Sequence, residues 1–192
     1  MKIKDLINKS RSYRRFNESY IIPGEVLRDL IKLAQYSPSG MNAQPLKFWL
    51  SNQSDMNHLV FPLLGWAGAL EDWPGPAEGE RPSAYIVILG DTEIRESFGV
   101  DHGIAAQSIL LGAAEAGLGG CMIGSVKREK LREVLGIPDR YQVLLVIALG
   151  KPAEKVVTEL VGENRSITYY RDENDVHHVP KRRLEELILN DV

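Results

Sequence analysis

Between Val100 and Leu118 the chain is apolar or small almost all the way round a helix, with Gly103, Ala105, Ala106, Gly112, Ala113, Ala114 and Ala116 interleaved among larger aliphatic residues. A helix without a broad polar face has to be buried. The small side chains let neighbouring backbones approach closely. In a chain of 192 residues this helix is therefore either the central helix of the core or part of a large subunit interface. It is a poor membrane span, because Gln107 and Glu115 interrupt it and Asp101 and His102 precede it.

The rest of the chain is read against that helix. Ala84 to Leu89 is a strand with no polar alternation, as expected when both sheet faces are covered. Cys121 to Gly124 and Gln142 to Leu149 are further buried strands, the latter ended by Gly150-Lys151-Pro152, and Leu46 to Leu50 is another. Residues 2–9 read as a short helix. Ile22-Pro23-Gly24-Glu25 opens a second, whose inward stripe is Val26, Leu27, Leu30, Ile31 and Ala34. That helix stops before Ser37-Pro38, since proline disfavours helical geometry in the residue before it. Ser54 to Leu64 reads as a helix capped by Ser54 or Asp55, and Lys127 to Leu135 as one capped by Ser125 and ended at Gly136. From residue 151 the chain is polar and irregular until a last amphipathic helix, Lys181 to Leu189, built on Leu184, Leu187 and Ile188. The order of elements predicts one domain, α+β or mixed α/β, around a single sheet. Residues 65–83, rich in Trp, Gly and Pro, form a long irregular segment. Trp66 and Trp73 there either wall a pocket or fill a gap in the core.

Acidic residues outnumber basic ones by 26 to 23, so no broad basic field invites nucleic acid. Basic charge is instead concentrated at 11–15 and 181–183. Ser10-Arg11-Ser12-Tyr13-Arg14-Arg15-Phe16 supplies three guanidinium groups and two serine hydroxyls, the donors that a phosphate needs; a solvated basic turn is the alternative. The loop Ser37 to Pro45 offers Ser39, Asn42 and Gln44, whose groups suit the edge of a planar heterocycle or simply a polar connection. The lone Cys121 excludes an intramolecular disulfide, fits a reducing cytoplasm and reads as a small core residue. No apolar run near the start resembles a signal peptide. The expectation is a soluble, cytoplasmic protein. No dinucleotide-binding G-x-G-x-x-G, P-loop or nucleophile motif is present. His177-His178 lacks companions at metal-ligand spacing and reads as an exposed pair.

Arg11-Ser12-x-Arg14-x-Phe16, Ser37-Pro38-Ser39-x-x-Asn42-x-Gln44-Pro45 and Gly119-Gly120-Cys121-Met122-Ile123-Gly124 occur in that order. They are joined by Leu131-Arg132-Glu133-Val134-Leu135-Gly136-Ile137-Pro138 and Leu149-Gly150-Lys151-Pro152. Together they resemble the nitroreductase-like family of FMN-dependent NAD(P)H oxidoreductases across nearly the whole chain. The resemblance implies an α+β fold with a central, mostly antiparallel sheet flanked by helices. It also implies a homodimer in which residues 1–150 form the core and 151–192 wrap the partner subunit. FMN would lie between subunits, taking hydride from NADH or NADPH at N5 and passing electrons to a small acceptor such as a nitroaromatic or quinone. No side chain is then catalytic in its own right and no metal is needed. The resemblance places Arg11 and Ser12 at the phosphate or ribityl and Arg14 near the flavin N1/C2=O edge, with Tyr13 between them also among the cofactor-binding residues. It places Ser39, Asn42 and Gln44 as contacts from the neighbouring subunit. Ile123 and Gly124 would be the segment whose backbone N–H faces flavin N5, with Met122 beside them also cofactor-binding, and Lys181 and Arg183 would complete the phosphate site. Ser10 stands where many members carry a basic residue. A specialised oxygen-activating or dehydrogenating enzyme of the same fold, a flavin storage or sensor module, and a phosphate-binding regulator are the other readings.

Overall fold

The computed structural model describes residues 2–70, 72–163 and 166–190. Strand β3 (Ala84–Asp91) is buried along its whole length. It pairs antiparallel on one side with β2 (Leu46–Ser51) and on the other with β5 (Tyr141–Pro152), with a bulge between Ile88 and Leu89. Strands β4 (Gly119–Ile123) and β1 (Phe16–Asn17) also pair antiparallel with β5, so the described residues build a five-stranded antiparallel sheet.

Alternate residues of β3 serve different layers, which is why its sequence shows no polar alternation. Ile86 and Ile88 pack with Leu27 and Leu30 of α2 (Gly24–Gln35) and with Ala106 and Ile109 of α4 (Asp101–Glu115). Tyr85 and Val87 face the opposite way, against Val60 of α3 (Ser54–Val60), Leu131 of α5 (Arg128–Val134) and Cys121 and Ile123 of β4. The short α1 (Ile3–Lys9) packs on α4. Gly112 marks where α2 and α4 touch: a Cβ there would lie 2.2 Å from Leu33 Cδ1. Helix α4 buries Ala105, Ala106, Ile109, Leu110, Ala113 and Ala114 against the sheet. Its other side, including Gly103 and Val100, which is 71% exposed, stays uncovered in the single chain.

Three sequence expectations need correction. The helix expected to reach Leu64 ends at Val60 and tightens into a 3₁₀ turn, Phe61–Leu63, because Pro62 supplies no N–H to continue an α-helix. Neither expected cap is used: α3 begins after Gln53 and α5 after Lys127, each without a side-chain capping hydrogen bond. The tail is not irregular, nor does it end in a helix from Lys181. It forms a small sheet in which β8 (His177–Lys181) runs parallel to β6 (Val156–Leu160) and antiparallel to β7 (Tyr170–Arg171). Lys181 closes β8, and one 3₁₀ turn, Leu184–Glu186, follows. Leu184 and Leu187 are 63% exposed, so the amphipathic spacing has no surface in this protomer to fold against.

Candidate functional site

The basic stretch is laid along β4. Ser12 bridges Gly120, and Tyr13 donates its backbone N–H to the Gly120 carbonyl at 3.0 Å. Gly119 has to lack a side chain there, since a Cβ would sit 2.5 Å from the Tyr13 ring and 2.7 Å from Pro152. Phe16, fully buried in β1, anchors the far end.

Glu154, which the sequence did not single out, fixes the stretch from the other side. Its carboxylate accepts the backbone N–H of Arg14 and, at 3.0 Å, that of Arg15, and pairs with Arg171 at 2.8 Å. With 2% of its side chain exposed, it is a buried anion satisfied by two amides and a cation. Arg15 is spent on structure, pairing with Glu80 and Asp175 beside the Trp73 ring. Trp73 also lies under Arg171, and Trp66 packs on the core, so both tryptophans brace the fold.

Arg14 turns toward the tail. Its Nη1 lies 3.2 Å from His177 Nε2, and its guanidinium sits over the Tyr169 ring at 4.9 Å. His177 is 1% exposed, which corrects the expectation of an exposed histidine pair. Burial, and then the neighbouring Arg14, Arg171 and His178, push its pKa down to about 4. It is a neutral acceptor for Arg14. Its neighbour His178 stacks on Tyr170 and is held between Glu159 and Asp172. Arg11 reaches the Ile7 carbonyl with Nη2, while its Nε is buried without a partner among the described residues. Burial also raises the pKa of the Cys121 thiol, outweighing the nearby Arg14. The thiol is an inert core group.

At the other end of β4, Met122 packs against the α2/α4 layer and Ile123 is buried. Gly124 leaves the strand exposed, its carbonyl accepting from Arg128 Nη2 at 3.0 Å, and a Cβ there would meet nothing within 4 Å. This is open backbone at the end of β4 away from Gly120, where Ser12 and Tyr13 lie.

The polar loop is held at the start of α4. Ser39 Oγ donates to Asp101 Oδ2 at 2.7 Å, the Gly40 N–H donates to Oδ1 at 3.0 Å, and the Gln44 N–H donates to Ser39 Oγ at 2.9 Å. Burial pushes the Asp101 carboxyl up, but the Ser39 and Gly40 hydrogen bonds and the Arg95 charge outweigh it and hold the pKa low. Asp101 is thus a fixed anchor. Asn42 and Gln44 have positive φ and are exposed, beside a cavity of about 310 Å³ that Ser39, Gln44 and Phe48 help to line.

Within one protomer the structure brings Ser12 and Tyr13 against Gly120, with Met122, Ile123 and Gly124 running on along and past the same strand, and leaves Ser39, Asn42 and Gln44 apart. The loop sits where α4 begins and the basic stretch lies beside the residues that follow its end. At 1.5 Å per residue that helix separates them by about 20 Å. Lys181 and Arg183 are exposed, and their charged groups have no partner among the described residues. Lys181 lies four strand residues beyond His177, about 13 Å along β8. Glu154, Tyr169 and His177 escaped sequence reasoning because they follow the last core strand in a polar tail with no periodic signal.

The model of the Nitroreductase family matches residues 7–66 and 76–151. Over 184 residues the chain is 27% identical to an oxygen-insensitive NADPH nitroreductase of Helicobacter acinonychis, covering 78% of this chain and 87% of that protein. A shorter stretch of 76 residues is 38% identical to an NADPH-dependent FMN reductase of Bacillus subtilis, covering 38% of this chain and 30% of that protein. Among solved structures, a nitroreductase family protein of Streptococcus pneumoniae superposes with a TM-score of 0.72 over 99% of this chain and all of that one (100%), at 19% identity. That likeness is one of fold.

Proposed function

The chain belongs to the Nitroreductase family, and on that premise we propose that it is an FMN-dependent oxidoreductase drawing electrons from NADH or NADPH for a small acceptor such as a nitroaromatic or a quinone. The observation that carries this reading is the basic stretch clamped between Glu154 and Gly120 of β4, the strand that runs on to the open backbone at Gly124. The donor set fits the group. Arg11 has a buried Nε without a partner among the described residues, and Ser12 and Arg14 lie on the same segment, so an anionic phosphate and a ring edge that gains negative charge both find cations. Relatives named as an FMN reductase and an NADPH nitroreductase support the same reading.

The chemistry supplied by bound FMN is electron transfer between a nicotinamide and the acceptor. The chain's own residues bind and tune. Arg11 and Ser12, with Tyr13 on the same segment, would hold the phosphate or ribityl, and Lys181 and Arg183 would close the phosphate site from the tail. Arg14 would supply a fixed cation toward the ring edge that gains negative charge, acting as an oxyanion site acts. His177, neutral and buried, accepts from Arg14 and keeps its guanidinium in place. Met122, Ile123 and Gly124 would present backbone to the ring. No described side chain is required as a nucleophile, in keeping with a Cys121 thiol held protonated by burial.

The distance of about 20 Å between the polar loop and the basic stretch supports a homodimer in which Ser39, Asn42 and Gln44 reach the partner's cofactor. The uncovered side of α4 offers the contact surface, and residues 151–192 extend the core toward the partner. Freshly purified protein is expected to be yellow and to bleach on anaerobic titration with NADH or NADPH. Protein that stays colourless after added FMN would overturn the proposal.

A further inference from the structure

Strand β8 presents successive side chains to opposite sides of the small tail sheet. His177 faces inward with Arg171, its neighbour across β7, and meets Arg14. His178 faces the other way with Tyr170, and 19% of its side chain is exposed. Its Nδ1 lies 3.0 Å from Glu159 Oε2 and its Nε2 3.1 Å from Asp172 Oδ2. The two carboxylates belong to different parts of the sheet, Glu159 to β6 and Asp172 to the turn that follows β7. One imidazole therefore joins β6, β8 and the end of β7.

A carboxylate accepts hydrogen bonds and donates none, so each contact needs a proton on the ring nitrogen that faces it. A neutral imidazole carries one such proton and satisfies one carboxylate; the imidazolium satisfies both. The geometry calls for the charged ring. The other groups around it are fixed in forms that suit this. The Tyr170 ring stacks on the imidazole, with centroids 4.8 Å apart and planes 6° from parallel, and its hydroxyl donates to Glu159 Oε1 at 3.2 Å. Desolvation and that hydrogen bond raise the Tyr170 pKa, so the phenol keeps its proton where a histidine titrates. Asp172 is held through Oδ1, which accepts the Asn174 N–H at 3.0 Å and the Val176 N–H at 2.9 Å. His177, the adjacent titratable group on β8, is neutral above about pH 4.

The hydrogen bonds to Glu159 and then Asp172 raise the His178 pKa above its ordinary 6.5, the direction the geometry requires. We propose that His178 is a pH-sensitive latch on the C-terminal sheet: as an imidazolium it ties β6 and the turn after β7 to β8, and on losing a proton it releases one carboxylate and loosens the sheet. The latch is closed below pH 6.5 and opens as pH rises through the folded value. It also governs His177, whose N–H donates to the Lys155 carbonyl at 2.9 Å and whose place is set by the register of the same strand. A loosened sheet loosens the acceptor that keeps Arg14 in position. The latch rests on tail residues alone, so it stands or falls independently of FMN.

The test is hydrogen–deuterium exchange of the full-length protein at about pH 6 and about pH 8.5, corrected for the intrinsic pH dependence of amide exchange. His177 is neutral at both. Peptides spanning 156–160 and 177–181 should exchange roughly three- to tenfold faster at the higher pH, and 11–16 should follow them. Peptides from β3, paired on both sides, should not change. His178→Gln should abolish the step. Asp172→Asn keeps an acceptor oxygen for the Asn174 and Val176 amides and leaves one carboxylate on the imidazole, so its step should shrink to roughly two- to threefold. In the parent, NMR titration of the ring nitrogens should show His178 losing its proton above pH 6.5. That measurement needs no variant, so it decides the matter if a substitution unfolds the tail. A His178 that titrates at or below 6.5, or tail exchange without a pH step, would overturn the proposal. So would a step that survives His178→Gln, an undiminished step in Asp172→Asn, or a stretch 11–16 that stays unmoved while the tail loosens.

Discussion

His177 Nε2 lies 3.2 Å from Arg14 Nη1, so a residue of the last strand holds the cation that the N-terminal stretch presents. The contact requires a neutral imidazole, and its surroundings enforce one: burial first, then the charges of Arg14, Arg171 and His178, bring the pKa to about 4 from an ordinary 6.5. Between those values the unfolded chain binds more protons than the folded one. Stability contributed by His177 is therefore complete above pH 6.5 and is lost as pH falls toward 4. The expected loss is on the order of 2 kcal/mol by pH 4, seen as a declining Tm in scanning calorimetry. His178 works in the opposite sense. Its pKa is raised by hydrogen bonds to Glu159 and Asp172, so its contribution is present below its unfolded pKa and lost as pH rises through the folded value. His177→Gln should remove the decline between pH 6.5 and 4 and leave the His178 contribution. A variant with the parent's full acid slope would show that His177 is not its source.

Arg14 bears on the cofactor's energetics more than on its retention. Removing a cation from the edge where a reduced flavin carries negative charge makes reduction harder. Arg14→Ala should lower the midpoint potential by roughly 30–60 mV, the two-electron equivalent of about 1.5–3 kcal/mol for a charged hydrogen bond. Arg14→Lys should recover most of the difference. Spectroelectrochemistry measures both, and an unchanged potential in the alanine variant would remove Arg14 from that role.

Glu154 carries the geometry of the basic stretch. Replacing it by Ala strands the Arg171 guanidinium and frees the Arg14 and Arg15 amides. The expected cost is roughly 3–5 kcal/mol, or about 10 °C in Tm for a chain of this size, with weakened FMN retention. Arg171→Met alone should be nearly as damaging, and the double variant much less than additive. Additive losses in that cycle would mean that the pair does not act as a unit.

The difference between what the sequence disclosed and what it concealed follows from the physics of each element. β3, β5 and α4 were legible because double burial leaves unbroken apolar runs at Ala84–Leu89 and Gln142–Leu149 and a helix with almost no polar face. The Arg11–Phe16 stretch was legible as a concentration of donors. The tail was not. β6 and β8 have only half-buried faces, β7 is two residues long, and Leu184, Leu187 and Ile188 mimic a helix that has nothing in the protomer to pack on. Glu154 and His177 look ordinary in sequence, since burial and a partner more than a hundred residues away give them their roles.

Separation of the two half-sites along α4 leads to a test of assembly that needs no structure of the complex. If each flavin takes its phosphate contacts from one protomer and its amide loop from the other, neither half-site is sufficient alone. An Arg11→Ala/Arg14→Ala chain and an Asn42→Ala/Gln44→Ala chain should each form dimers with little NAD(P)H-dependent activity. Co-expressed, they should form mixed dimers in which one site carries every defect and its twin carries none. With random pairing half the dimers are mixed and one site in two is intact, so activity should recover to roughly a quarter of the parent level. A site built within one protomer gives no recovery, because each site of a mixed dimer then retains one defective half. Measured activity near a quarter therefore supports the shared site, and activity no higher than that of either variant alone excludes it.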